Sequence, residues 1–142
     1  SAALAAFAAP ALATIDACYD DAAIRNAVAV HAELSLRSEQ LTRLAIAENV
    51  SGEHVYVLGR QMVLIERIHR RLLERGGGAA GADALERDLA IMKRVFSAFA
   101  SGDGELKIAA LQAEQAQALL SEIARFTGEL ESEIGKLAAM HR

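Results

Sequence analysis

The sequence has no tryptophan, one cysteine, one proline and only 4% aromatic residues in 142 positions. A single cysteine excludes an internal disulfide framework and any cysteine-rich zinc site. Scarce proline, with glycine gathered at a few spots, leaves few places where a helix must stop. β-Branched and aromatic residues are sparse beside Ala, Leu and Ile, which argues against a sheet protein. No stretch approaches the ~20 uninterrupted apolar residues of a membrane span, so any membrane attachment lies in segments outside this chain. There is no basic excess either. A net charge of −4 argues against nucleic acid as the main partner.

What is present points one way. Hydrophobic residues make up 53% of the chain and charged residues 24%, a balance that folds rather than stays disordered. The length suits one domain of the common ~100–150-residue size. Apolar residues recur at three- and four-residue steps in four segments, the mark of amphipathic helices. The first segment runs from about Thr14 to Asn49 with Ile24, Ala27, Val28, Leu34, Leu41 and Leu44 on its stripe. His31 and Ser38 share that stripe. The second begins at Ser51, an N-cap residue type, and carries Val55, Leu58, Met62, Ile65, Ile68 and Leu72 to about Arg75. The chain between them, Asn49–Gly52, either ends a helix or kinks one.

Gly76, Gly77, Gly78 and Gly81 then predict a flexible link. Asp83 and Glu86 have capping-box spacing and predict the start of the third helix, whose stripe is Leu85, Leu89, Met92, Phe96 and Phe99. Ser101-Gly102-Asp103-Gly104 breaks it. The fourth stripe runs through Leu106, Ala109, Ala113, Ala116, Leu120, Ile123, Thr127, Leu130, Ile134 and Leu137. Such faces must be buried on one another. The expected fold is all-α, an antiparallel four-helix bundle with long first and last helices and both chain ends at one end.

Residues 1–13 are apolar, uncharged and rich in alanine, and close on Ala11-Leu12-Ala13. They read either as the tail of a signal peptide, implying export to the periplasm or beyond, or as an Ala-rich extension of the first helix. Residues 14–142 then form the domain proper.

Catalytic patterns are missing: no nucleophile elbow, no phosphate-cradling loop, and a triple glycine not followed by Lys-Ser/Thr. No enzyme and no cofactor is expected. Cys18 sits beside Tyr19 and two aspartates, a setting that raises a thiol pKa and suits a small packing residue. Glu66-x-x-His69 has half the spacing of a di-iron bundle site, but His31, His54 and His141 lack an acid three positions earlier, so no metal is expected. The cluster Arg60, Arg67, Arg70, Arg71 and Arg75 admits two readings. One is a solvated face with pairs such as Glu66–Arg70; the other is a guanidinium fork for a small planar anion.

Gly59-Arg60-Gln61-Met62-Val63-Leu64-Ile65-Glu66-Arg67-Ile68 resembles the helical signature G-R-Q-R-M-L-S-Q-R-I of the PilJ-like family. These are the N-terminal sensor domains of type IV pilus-type methyl-accepting chemotaxis transducers, kin to NarX-like nitrate/nitrite input domains. Gly59, Arg60, Gln61, Leu64, Arg67 and Ile68 match in place, and Phe96–Asp103 looks like the family's helix end before Gly-Asp. The sequence departs at Met62, where the family carries its second arginine, at Ile65 and Glu66, and at Tyr56, the usual asparagine. Ser35-Leu36-Arg37 is similar to the S-L-R of NarX-like domains, which offers Arg37 as a second candidate anion ligand. The resemblance implies an exported homodimeric sensor binding a small anion through Arg60, Gln61, Arg67 or Arg37, or a member that has lost the anion. The other class left open is a cytoplasmic helical adaptor or export chaperone that clamps a partner helix.

Overall fold

A computed structural model describes residues 2–74 and 78–140, with side chains at 22–74 and 80–140. Four helices follow one another: α1 (Ala2–Ala47), α2 (Gly52–Leu73), α3 (Gly78–Ser101) and α4 (Glu114–Met140). No strand occurs among the described residues; one isolated bridge joins Asp103 and Ile108. The side chains of residues 1–13, the Cys18 thiol, Arg75, Gly76, Gly77 and His141 lie outside the described residues.

The heptad-like stripes meet as the spacing predicts. Ala27, Leu34 and Leu41 of α1, Leu58, Ile68 and Leu72 of α2, Leu85, Met92 and Phe99 of α3, and Ile123, Leu130 and Ile134 of α4 are almost wholly buried. Each helix packs on its two neighbours in a ring, α1–α2–α3–α4–α1, with little contact across the diagonals. Cross-helix contacts fix the directions. Thr42 meets Met62 while His31 meets His69, and Arg67 meets Asp88 while Gln61 meets Met92. Lys93 meets Glu131 while Gln117 meets Ala100, and Arg37 meets Glu122. Every adjacent pair is antiparallel. The bundle is therefore up-down-up-down, with α1 entering and α4 leaving at the same end.

The first two helices are separate. The Val50 N–H bonds to the Ala45 carbonyl at 3.0 Å and the Asn49 N–H to Ile46 at 3.2 Å, with Asn49 in the left-handed region at φ 57°. That is a Schellman stop, with asparagine where glycine is usual. Ser51 then caps α2 by accepting the His54 N–H at 3.3 Å.

Three boundaries differ from the sequence expectation. α1 begins at Ala2 rather than about Thr14, so the alanine-rich stretch is helical and continuous with it. α3 begins at Gly78 rather than Asp83, so the capping-box residues lie inside the helix. Ala79, Ala80 and Ala82 favour helix strongly enough to carry it through Gly81. α4 begins at Glu114, not Leu106. Gly102 at φ 85° and Lys107 at φ 57° turn the chain, and the Leu106 N–H bonds to Asp103 Oδ1 at 3.0 Å. That bond, with Arg94 nearby, holds the Asp103 carboxyl below its ordinary value. Ala109 is consequently exposed, while Ile108 and Leu111 turn inward.

The α3–α4 loop completes the helix ends around it. The Leu111 N–H donates to Phe99 O at 2.8 Å, and Gln117 Nε2 donates to Ala100 O at 3.0 Å and Leu111 O at 2.7 Å. Two of these acceptors, the Phe99 and Ala100 carbonyls, belong to the end of α3, whose last carbonyls lack helical partners. His54 Nε2 accepts the Ala109 N–H at 3.0 Å, tying the loop to α2 as well. Gln117 is exposed and lies off the buried stripe, yet it is the clamp. Gln117→Ala should cost about 1–2 kcal/mol in urea unfolding, whereas exposed Gln112→Ala should cost well under half of that.

Candidate functional site

The four residues singled out from the sequence fall in three different places. Arg60 projects from the exposed side of α2, and no ion pair engages it among the described residues. Tyr56 and Val63, one turn to either side, are themselves exposed. Gln61 points the other way: it is buried, and its Nε2 donates to the Met92 carbonyl of α3 at 2.9 Å. Arg60 and Gln61, both offered as anion ligands by the resemblance, therefore do not share a face of α2. Adjacent positions on a helix diverge by about 100°, and here they part between solvent and core.

Arg67 lies on the α2–α3 seam. Its Nη2 and Nε reach the two oxygens of Asp88 at 2.8 and 3.1 Å, a bidentate fork, and Arg71 Nε stands 3.4 Å from the same carboxylate. Asp88 is buried while both arginines are partly exposed. The anion held by this part of the arginine cluster is thus an internal carboxylate. Arg37 sits on the α1–α4 seam, bonded to Glu33 and, at 3.3 Å, to Glu122, with its guanidinium 5.1 Å from the Phe126 ring centre. Arg125 lies 4.7 Å from the same ring. Within one chain Arg37 and Arg60 are not brought together.

A cluster that sequence spacing left scattered does assemble on the α1–α2 seam. The His31 and His69 rings stack with centroids 4.3 Å apart and planes 13° from parallel. Glu66 Oε1 is 3.8 Å from His31 Nε2, too far for a hydrogen bond, and that nitrogen has no hydrogen-bond partner among the described residues. The signal that could have found it was the place of His31 on the apolar stripe, which put it inside the bundle. Stacked rings hold their lone pairs in parallel planes that do not converge. Among the described residues no group of three His, Cys, Asp or Glu side chains is arranged to hold a metal ion.

Burial, then the neighbouring His69 charge, lowers the His31 pKa below its ordinary 6.5, while Glu66 and the Ile65 backbone pull the other way. The folded chain thus binds fewer protons than the unfolded chain just below pH 6.5. Stability from this group is complete above that pH and is lost as pH falls through the window beneath it. Urea unfolding from pH 8 to 5 should show this decline, and His31→Leu should shrink it. At pH 8 the same variant should change stability by no more than about 1 kcal/mol, because losing a buried nitrogen without a hydrogen bond offsets losing the Ile65 backbone contact and the His69 stack.

The described residues form a four-helix bundle in which Arg37, Gln61, Arg67 and Lys93 each bind a partner across a helix seam. No described helix is long and apolar enough to cross a membrane. No protein-family model and no curated protein matches the sequence.

Proposed function

We propose that the chain is an extracytoplasmic ligand-sensing domain of the PilJ/NarX kind, a homodimer that binds a small anion such as nitrate or nitrite through Arg60. The observation that carries this reading is Arg60 itself. It stands in the family-like motif, exposed and without an ion pair among the described residues, between exposed Tyr56 and Val63. Gln61 and Arg67, occupied by Met92 and Asp88, support the helix that presents it. A planar, weakly hydrated anion suits a guanidinium fork better than an ammonium. One arginine grips it on one side only. Two α2 helices meeting on a two-fold axis would supply the second, and the apolar flanks of Arg60 suit such a self-complementary contact. With α1 and α4 running to the same end, a shift at α2 is passed along the bundle to that end.

The test is a thermal melt in chloride buffer with added nitrate or nitrite, together with light scattering. A ligand at a hundred times its Kd stabilises by ~2.7 kcal/mol. For this length the melting temperature should rise by roughly 5–10 °C. Arg60→Ala should abolish the rise, and Arg37→Ala should leave it. Loss in Arg37→Ala alone would move the site to α1. A strict monomer with and without the anions would remove the symmetric site.

A further inference from the structure

We infer that the loop end of the bundle holds a second, independent binding site, for a small cationic amphiphile of about one aromatic ring carrying a primary ammonium group. A pocket of about 200 Å³ opens there between the end of α1 and the start of α4. Its walls are apolar: Leu44, Ala45, Val50, Leu111, Ala113 and Ala116. Apolar cavities of ~150 Å³ accept benzene, so the volume suits a single ring. Among the described residues Glu48 and Gln112 bring the only polar side chains to it, both exposed on the solvent side, and no cation lines it.

The charge at this end is what selects the ligand. Glu48 is the C-cap residue of α1, one position before the left-handed Asn49. A helix C-terminus carries about half a negative charge and is stabilised by a basic neighbour. α1 has none in its last turn. The residue placed there is an acid, unfavourable for the helix by itself, and it has no ion pair among the described residues. Arg43, one turn back, is engaged by Glu39. The positive end of α4 also faces this region, but Glu114 in its own first turn offsets it. The balance is a negative rim over an apolar well. A local choice that works against the helix while completing a pocket is the pattern of a binding site. An ammonium group would reach the Glu48 carboxylate and the α1 end while its ring displaces water from Leu44 and Leu111.

This site stands apart from Arg60 in place and in charge preference. The experiment uses the full chain and three probes of one shape: benzylamine as its cation, neutral benzyl alcohol, and benzoate. Titration calorimetry should give the tightest binding for benzylamine and none for benzoate. Methyl resonances of Leu44, Val50 and Leu111 should shift with benzylamine. Glu48→Gln should weaken benzylamine about tenfold, the scale of one charge-assisted contact, and should leave the nitrate response unchanged. Arg60→Ala should do the reverse. Ala113→Trp should close the pocket, and the methyl shifts on the native chain decide the matter if that variant does not fold. Three results would each overturn the proposal: no methyl shift at 10 mM benzylamine, equal binding of all three probes, or benzylamine binding indifferent to Glu48→Gln.

Discussion

Ile123→Asp should abolish the cooperative thermal transition of this domain. Ile123 is fully buried on the stripe of α4, which packs on α1 and α3. A carboxylate there meets no lysine or arginine among the described buried residues, and it either stays charged at a cost of several kcal/mol or takes up a proton at the expense of stability. Losses above 4–5 kcal/mol arise from such unpaired buried charges. Domains have only about 5–15 kcal/mol in total. Ala124 is the matched control. It is the next residue and exposed, so Ala124→Asp should cost no more than the ~0.7 kcal/mol of helix propensity. Circular dichroism melts of the two variants decide the phase of the helix. Equal losses would contradict it.

Asp88→Ala should be the most damaging change of a polar side chain. One buried carboxylate binds Arg67 twice and attracts Arg71. Removing it separates both guanidinium groups from their only described anion. Breaking a fully buried pair costs about 3–5 kcal/mol. Both arginines here are partly exposed, with side-chain accessibilities of 45% and 39%, so water offsets part of the loss. About 2–3 kcal/mol remains after a gain of ~0.5 kcal/mol in helix propensity. The melting temperature should fall by roughly 6–10 °C. Arg67→Ala should cost less, about 1 kcal/mol, because Arg71 stays beside the carboxylate. If Arg67→Ala and Asp88→Ala were equally harmful, the Arg71 contact would carry nothing.

The helices were legible in the sequence where burial repeats with a helical period. Leu58, Ile65, Ile68 and Leu72 could hardly be arranged otherwise, and the same holds for Leu120 through Leu137. The start of α4 was not legible, because Leu106, Ala109 and Ala113 continue the same spacing through a loop. Spacing reports which side chains are apolar and is silent on backbone angles such as those of Gly102 and Lys107. Likewise Asp83 and Glu86 satisfy a cap pattern, but three alanines upstream made helix cheaper than an end. The polar partners were less legible still. Arg67 and Asp88 are 21 residues apart and His31 and His69 are 38 apart, so only the register between helices joins them. The arginine-rich face was visible in the sequence; that part of it is neutralised from α3 was not.

The ring of helices closes where the chain's first and last helices meet, and that is its broadest seam. Arg37 and Glu122, which bond across it, are 85 residues apart. During synthesis at ~5–20 residues per second, α1 emerges with its apolar stripe bare for roughly 4–17 s before α4 exists to cover it. Hairpins α1–α2 and α2–α3 form from near neighbours, but closure waits on the most distant pair. The nascent chain therefore passes through a three-helix stage with a long open trough. In that interval a trigger-type chaperone or a neighbouring nascent chain competes with α4 for the same surface, so yield in the cell should depend on the speed of translation through α4.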